Sequence, residues 1–285
     1  MSVLETTGVS IRFGGVQALT SVDLQVNEFE IVGLIGPNGA GKTTIFNCIT
    51  GFYRPQEGVV RYKGVDVSEL PTHERSAMGI GRTFQNVGLV KTETVLDNML
   101  TAQHAAIDYG AVSGTLGNPI TFAAERRLRR RADDILGVLR LGHLRDRPVA
   151  GLPYGVLKRV EIATALATDP DLLMLDEPGS GMGPDEADNL GDELLELRRE
   201  FGLTIMMIEH HVPLVVRVCD YVYCLNFGQL LTEGLPLDVR NHPEVVAAYL
   251  GEEAPDEDAE AERLEAAHDE AELHTHTDAS TKAAS

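Results

Sequence analysis

Near the N-terminus apolar and polar residues alternate, with Val22, Leu24 and Val26 apolar and Asp23, Gln25 and Asn27 polar. A period of two is the pattern of a half-buried strand. The alternation returns over residues 59–67, where Lys63-Gly64 supplies a turn, so a small antiparallel sheet is expected here. The texture then changes. Residues 31–35 form a short apolar run that stops at a glycine-rich loop, and similar runs recur at 172–175, 204–208 and 221–225. Strands that are apolar on both faces, separated by helical segments, imply a sheet covered on both sides. Residues 186–201 place Leu190, Leu194, Leu197 and Phe201 on one helical stripe that ends at Gly202. Residues 87–167 read as helical throughout, with no strand. The pattern predicts an α/β core with an N-terminal antiparallel β-subdomain and an inserted all-helical subdomain at about 88–167.

Length and charge narrow this picture. The chain has 285 residues, 43% of them hydrophobic, enough for a large core. Its 44 acidic residues against 24 basic ones leave a formal charge of −20, which excludes bulk attraction to nucleic acid. Twelve of those acids lie in residues 252–285 against only Arg263 and Lys282, so this tail carries −10 by itself. It has no aromatic residue and two leucines, too little apolar surface to offset ordering entropy. It is expected to be a disordered acidic tail outside a body at 1–251, with at most a short Ala/Glu helix around 259–272. His274 and His276 in the tail are either a metal-binding pair or ordinary polar residues. Arg126, Arg127, Arg129, Arg130 and Arg131 are either a solvated helix face paired with Glu125, Asp133 and Asp134, or a contact for lipid headgroups or a partner subunit. Cys48, Cys219 and Cys224 lack paired metal-ligand spacing and read as free thiols in a reducing compartment. No basic patch leads into an apolar stretch near Met1, and no uncharged run approaches the ~18 residues of a membrane span. A cytosolic, soluble chain is expected.

The chemistry concentrates in two places. Directly after the strand at 31–35 comes Gly36-Pro37-Asn38-Gly39-Ala40-Gly41-Lys42-Thr43-Thr44, which fits G-x-x-x-x-G-K-[ST]. A helix over 43–50, stopped by Gly51, follows it. Glycines let such a loop curl so that successive N–H groups point at a β-phosphate, and the helix dipole adds positive potential. Lys42 supplies a full charge, and the Thr43 hydroxyl is placed to ligate a Mg²⁺ bridging the phosphates. The second place is the run Leu172 to Leu175, which leads straight into Asp176-Glu177-Pro178. Adjacent strand residues point to opposite faces, so the two carboxylates have different tasks. Asp176 is assigned to Mg²⁺ through water, and Glu177 to the water that attacks the γ-phosphate.

With these motifs in order, residues 4–251 resemble an ATP-binding-cassette (ABC) ATPase. The resemblance implies that Phe13 stacks on adenine and that Gln85, in Thr83-Phe84-Gln85, reaches Mg²⁺ and the attacking water and touches a membrane partner. It places the signature motif at Leu152-Pro153-Tyr154-Gly155-Val156, with Gly155 facing nucleotide, and makes His210 the switch histidine that contacts the γ-phosphate. Arg82-Thr83-Phe84-Gln85-Asn86, Ala102-Gln103-His104, Ile208-Glu209-His210 and Ala248-Tyr249-Leu250-Gly251 are similar to the branched-chain amino acid importer ATPases, particularly their larger nucleotide-binding subunit. The longer helical insertion between His104 and Arg126 agrees with that type. The family then implies ATP and Mg²⁺ as cofactors and a peripheral position on the cytoplasmic face of the cell membrane. Its implied partners are a second ABC ATPase subunit in a homo- or heterodimer, two permease subunits and an external solute-binding protein. An importer of another amino acid, an amide or urea, or an ABC ATPase without transport, stays open as an alternative.

Three departures stand out. Pro153 and Val156 replace the usual serine and glutamine of the signature, and a proline offers neither hydroxyl nor N–H. Gly183 stands where the D-loop usually carries Asp or Asn, and His211 follows the switch histidine where this branch often shows Asp. The first two lie in elements that act on the opposite subunit's ATP, so the two sites of a dimer are expected either to differ in turnover or to rely equally on the amides around Gly155.

Overall fold

The computed structural model describes residues 1–83, 88–106 and 119–253. Gln85, the acidic tail from 254 onward with its expected helix, and most of the insertion between 104 and 126 lie outside them. Ser2–Phe13 (β1) and Val16–Asn27 (β2) form a long hairpin that joins Glu57–Tyr62 (β4) and Val65–Asp66 (β5) in a four-stranded antiparallel sheet of order β2-β1-β4-β5. The second sheet has six strands. Ile31–Ile35 (β3), Ile80–Arg82 (β6), Leu172–Asp176 (β7), Thr204–Ile208 (β8) and Tyr221–Asn226 (β9) run parallel, and Gln229–Gly234 (β10) closes one edge antiparallel, in the order β10-β9-β3-β8-β7-β6.

Alternation within these strands explains their unbroken apolar texture. Ile31, Ile35, Leu173, Leu175, Ile205 and Met207 belong to one core, shared with the helical lobe. Val32, Leu34, Leu172, Met174, Met206 and Ile208 belong to a second core, closed by the antiparallel sheet and by helix Lys42–Thr50 (α1). Both faces are buried, so no polar face interrupts the pattern. The two edge strands lack this signature: β6 is three residues long and ends in Gly81-Arg82, and β10 is only half-buried. For that reason the apolar runs marked four strands and missed these two.

Thr72–Ala77 (α2) follows the first sheet. Val95–Ala106 (α3), Pro119–Val138 (α4) and Tyr154–Ala167 (α5), with a 3₁₀ turn at Gly142–Leu144, make up the lobe. A single antiparallel bridge, Thr94 to Pro148, qualifies the all-helical expectation there. Within the basic cluster, Arg129 pairs with Glu125 at 2.9 Å, and Arg131 pairs with Asp169 and stacks on Phe201, so these two serve intramolecular contacts. Pro184–Phe201 (α6) begins two residues before the pattern marked it, because Pro184 fits the first helical turn, and it ends at Gly202 in the left-handed conformation. Val212–Val218 (α7), Pro236–Arg240 (α8) and Pro243–Glu253 (α9) complete the body. Helix α9 runs past residue 251, so its last two residues lie in the segment assigned to the tail.

Arg75 on α2 holds the far end of α1 in place. Fully buried, its guanidinium donates to the carbonyls of Cys48 (2.6 Å) and Ile49 (2.8 Å) at the end of α1, and to Ser68 (2.9 Å) and Leu70 (2.8 Å). Carbonyls at a helix C-terminus have no intrahelical partners, and here one cation satisfies two of them. Replacement of Arg75 by Met is expected to leave buried acceptors unpaired and to lower stability by about 3 kcal/mol or more, read from urea unfolding. An unchanged midpoint would remove Arg75 from this role.

All three cysteines are free and buried. Burial pushes the Cys48 and Cys224 thiols up to about 11, and Cys219 higher still. The thiolate is the reactive form, so at pH 8 only about a thousandth of Cys224 is nucleophilic. Iodoacetamide at pH 8 is expected to leave all three thiols unmodified in the folded chain and to label all three in urea.

Candidate nucleotide site

The phosphate loop begins where β3 ends. Gly36 has φ +143°, and a Cβ there would run into the Leu225 carbonyl; Gly41 caps α1 at φ +100°, where a Cβ would stand 2.8 Å from Leu19 Cδ2. Neither position tolerates a side chain. The Asn38-Gly39 tip is exposed, whereas Pro37, Ala40 and Lys42 are buried and Thr43 and Thr44 are half-buried. Lys42 Nζ donates to the carbonyls of Gly36 (2.6 Å) and Pro37 (2.7 Å), which keeps the loop curled around its own ammonium. Two neighbours brace it from outside. The Gly228 N–H, in the β9–β10 turn, donates to Ala40 O at 3.0 Å, and Gly228 O accepts from Thr20 on β2 at 2.8 Å. The Gly36 N–H donates to the Tyr249 hydroxyl of α9 at 2.9 Å, a link across 213 residues.

Two strands away, Asp176 is 1% exposed at the end of β7. One of its oxygens, Oδ2, pairs with Arg82 Nη2 at 2.9 Å, and its N–H donates to Thr83 Oγ1 at 3.2 Å. Arg82 also donates to Asn47 (2.7 Å) and Thr50 (3.1 Å) of α1 and lies over the Phe46 and Phe52 rings. The other oxygen, Oδ1, is buried and accepts no hydrogen bond among the described residues. An orphaned carboxylate oxygen on the strand beside β8, with the Thr43 hydroxyl on the first turn of α1, offers the hard donors that a small divalent cation takes alongside substrate phosphates. Among the described residues no group of three or more His, Cys, Asp or Glu could hold a metal unaided.

Glu177 faces elsewhere. Its backbone sits at φ +50°, strained for a residue with a side chain, and its Oε1 lies 3.0 Å from His210 Nε2. The expected division between the two carboxylates thus corresponds to two environments, one sealed and paired with arginine, the other half-open and facing histidine. Beneath His210, buried Glu209 accepts hydrogen bonds from the N–H groups of Gly179, His210 and His211.

Phe13, at the end of β1, is 44% exposed and meets Tyr53 edge-on at 5.0 Å. Gln56 clamps the preceding residue, accepting from the Arg12 N–H (2.9 Å) and donating to the Arg12 carbonyl (3.1 Å). Gly155 forms part of a separate cluster. It lies buried in the first turn of α5, whose N-cap is Pro153 with no side-chain capping bond, and Glu186 Oε1 would stand 3.4 Å from a Cβ there. Tyr154 packs on Gly181, so the signature segment and the turn after Pro178 form one surface. A cleft of about 360 Å³, lined by Thr50, Arg82, Thr83, Leu89, Glu161 and Ala165, opens between core and lobe rather than over the phosphate loop.

Gln56 was not singled out from sequence, and Arg82, Glu209 and Tyr249 entered only as members of the family motifs, with no role of their own. Their partners lie far away along the chain, and no local spacing announces them.

Residues 19–180 match the family model described as ABC transporter, and residues 229–255 match the one described as Branched-chain amino acid ATP-binding cassette transporter. The high-affinity branched-chain amino acid transport ATP-binding protein BraF of Pseudomonas aeruginosa is 41% identical over 250 residues, covering 88% of this chain and 98% of that one. The corresponding LivG protein of Escherichia coli is 42% identical over the same length, with the same coverage. The crystal structure of the ADP conformation of an ATP-binding cassette from an ABC transporter superimposes with a TM-score of 0.76 at 33% identity, covering 88% of this chain and 99% of that one. The chain therefore belongs to the ABC transporter ATP-binding family, in the group of the branched-chain amino acid transport ATP-binding proteins.

Proposed function

We propose that this chain is the ATP-hydrolysing subunit that powers import of branched-chain or related hydrophobic amino acids through a membrane permease complex, bound peripherally at the cytoplasmic face. The observation that carries the reading is the convergence of the phosphate loop, Asp176-Glu177 and His210 at the carboxyl ends of three adjacent parallel strands, β3, β7 and β8. Ligands of open parallel sheets bind at that edge. The cargo is argued from kinship with BraF and LivG.

In this reading the loop N–H groups and Lys42 bind the phosphates, Lys42 turning from its own loop carbonyls to the ligand. Thr43, Gln85 and the open oxygen of Asp176 would hold Mg²⁺, which supplies charge neutralisation on the phosphates when bound. Glu177 orients the attacking water and receives its proton, and His210, held at 3.0 Å from it, contacts the γ-phosphate. Phe13 supplies the face on which adenine stacks. A second ABC ATPase subunit completes the site built on Lys42 through its own signature segment, this chain's signature completes the site on the second subunit, and an external solute-binding protein delivers cargo. The two permease subunits dock at the cleft between core and lobe, beside the segment carrying Gln85.

Replacement of Glu177 by Gln is expected to retain ATP binding and to lower hydrolysis by about 10²–10⁴-fold, measured with the assembled complex. Wild-type turnover would refute the assignment. Leucine-stimulated ATP hydrolysis in proteoliposomes tests the cargo; stimulation by an amide or urea instead would reassign it, and failure to co-purify with any polytopic protein would favour an ATPase without transport.

Pro153 at the α5 N-cap, without hydroxyl or N–H, supports a second element of the reading for a heterodimer whose partner has an intact signature: the ATP site completed by this chain's signature turns over more slowly than the one built on Lys42. With the partner ATPase's own catalytic glutamate blocked, Pro153→Ser has no effect on Lys42-site chemistry and reports only on the partner's site when the blocked glutamate is this chain's instead. In that second arrangement a gain in turnover on Pro153→Ser is expected, and no gain would sink the idea.

A further inference from the structure

We propose that Glu209 is a positioning residue that clips the turn after Glu177-Pro178 to His210, so that the segment 179–183 and the Glu177–His210 pair move as one unit. The inference rests on the ATPase reading given above and deepens it. Glu209 is 2% exposed. Its Oε1 accepts the Gly179 N–H at 2.6 Å, and its Oε2 accepts the N–H groups of His210 at 2.9 Å and His211 at 3.1 Å. One carboxylate thus gathers donors from the ends of two strands, β7 and β8. Its own N–H donates to Leu34 O at 3.4 Å, which registers the clip against β3, the strand that leads into the phosphate loop.

The chemistry explains why a carboxylate is needed. A buried carboxylate is unfavourable unless its oxygens are satisfied, and here charge-assisted bonds from three backbone N–H groups satisfy it. A leucine would fill the space but leave three strand-end donors unpaired. Gly179 fits the same scheme, since a Cβ there would stand 2.8 Å from Glu209 Oε1 and 3.2 Å from Leu214 Cδ2. Beyond Gly179 the turn continues through bonds from Ser180 N–H to Glu177 O and from Met182 N–H to Gly179 O, up to Gly181 beneath Tyr154. A displacement of residues 180–183 by a second subunit therefore reaches His210 through one side chain.

Two variants test the clip in the full-length chain within its assembled complex. Glu209→Gln keeps the shape and loses acceptor capacity; Gly179→Ala pushes on the carboxylate from the other end. Each is expected to lower kcat roughly tenfold to a hundredfold through misplacement of the reacting groups. The KM for ATP and the affinity for nucleotide should stay within about twofold, which a general loss of structure would not produce. Combined, the two should cost little more than either one, because they break the same connection. Normal kcat in both variants, or strictly additive losses, would overturn the clip. A wild-type complex that fails to hydrolyse ATP would instead overturn the ATPase reading itself.

Discussion

Ile208 pairs with Leu34 on one side and with Asp176 on the other, so β3, β8 and β7 end on one line. Everything at the site depends on that register. One or two residues beyond it lie Gly36 of the phosphate loop, Glu177 and Glu209-His210, three segments widely separated along the chain. A slip of one residue in any of these strands would turn its side chains to the opposite face. Each strand is apolar on both faces and buried between two cores, so the pattern alone does not oppose such a slip; the strand-end contacts of Arg82 with Asp176 and of Glu209 with the Gly179 N–H are made in this register.

Around this line the chain handles charge by enclosure. Lys42 is held by its own loop, Asp176 Oδ2 by Arg82, Glu209 by three N–H groups and Arg75 by four carbonyls. Burial makes each of these groups expensive to leave unpaired, so each also fixes the segments that pair with it. Arg82 joins the stem of the Gln85 segment to α1 and to β7. Tyr249 ties the last helix to the first residue of the phosphate loop. The half-open exceptions are Glu177 and His210, facing each other at 3.0 Å, with Glu177 in a strained left-handed conformation. Freedom from enclosure and local strain coincide at the pair assigned to the chemistry. The net charge of −20 bears on none of this, because half of it belongs to residues 252–285.

The parts of the site that could be read without a fold are those whose chemistry is local. Residues 36–44 need only adjacent glycines and a lysine to form their loop, and Asp176-Glu177 stands at the end of an apolar run that declares itself a strand. Helix α6 has its stripe and its terminal Gly202 within one stretch of chain. The edge strands were illegible because β6 is only three residues long, two of them Gly81 and Arg82, and β10 is too exposed to impose an apolar run. Arg75 looks like an ordinary surface charge in sequence, and Arg82 and Glu209 are motif residues without a legible task; only the structure shows what their charges meet.

From the sequence alone followed the α/β core, the helical lobe, the phosphate loop and the two carboxylates, while the family came from the resemblance of its ordered motifs. These depend on periodicity and on contiguous residues, which one-dimensional order preserves. Tertiary structure alone decided which charges are buried, that Asp176 keeps one oxygen open while Arg82 takes the other, and that Glu209 joins two strand ends. Those facts rest on contacts across 94 residues for Arg82 and Asp176 and across 30 for Gly179 and Glu209. Parallel strands bring such distant residues together through crossover connections, and no spacing along the chain records which of them will meet.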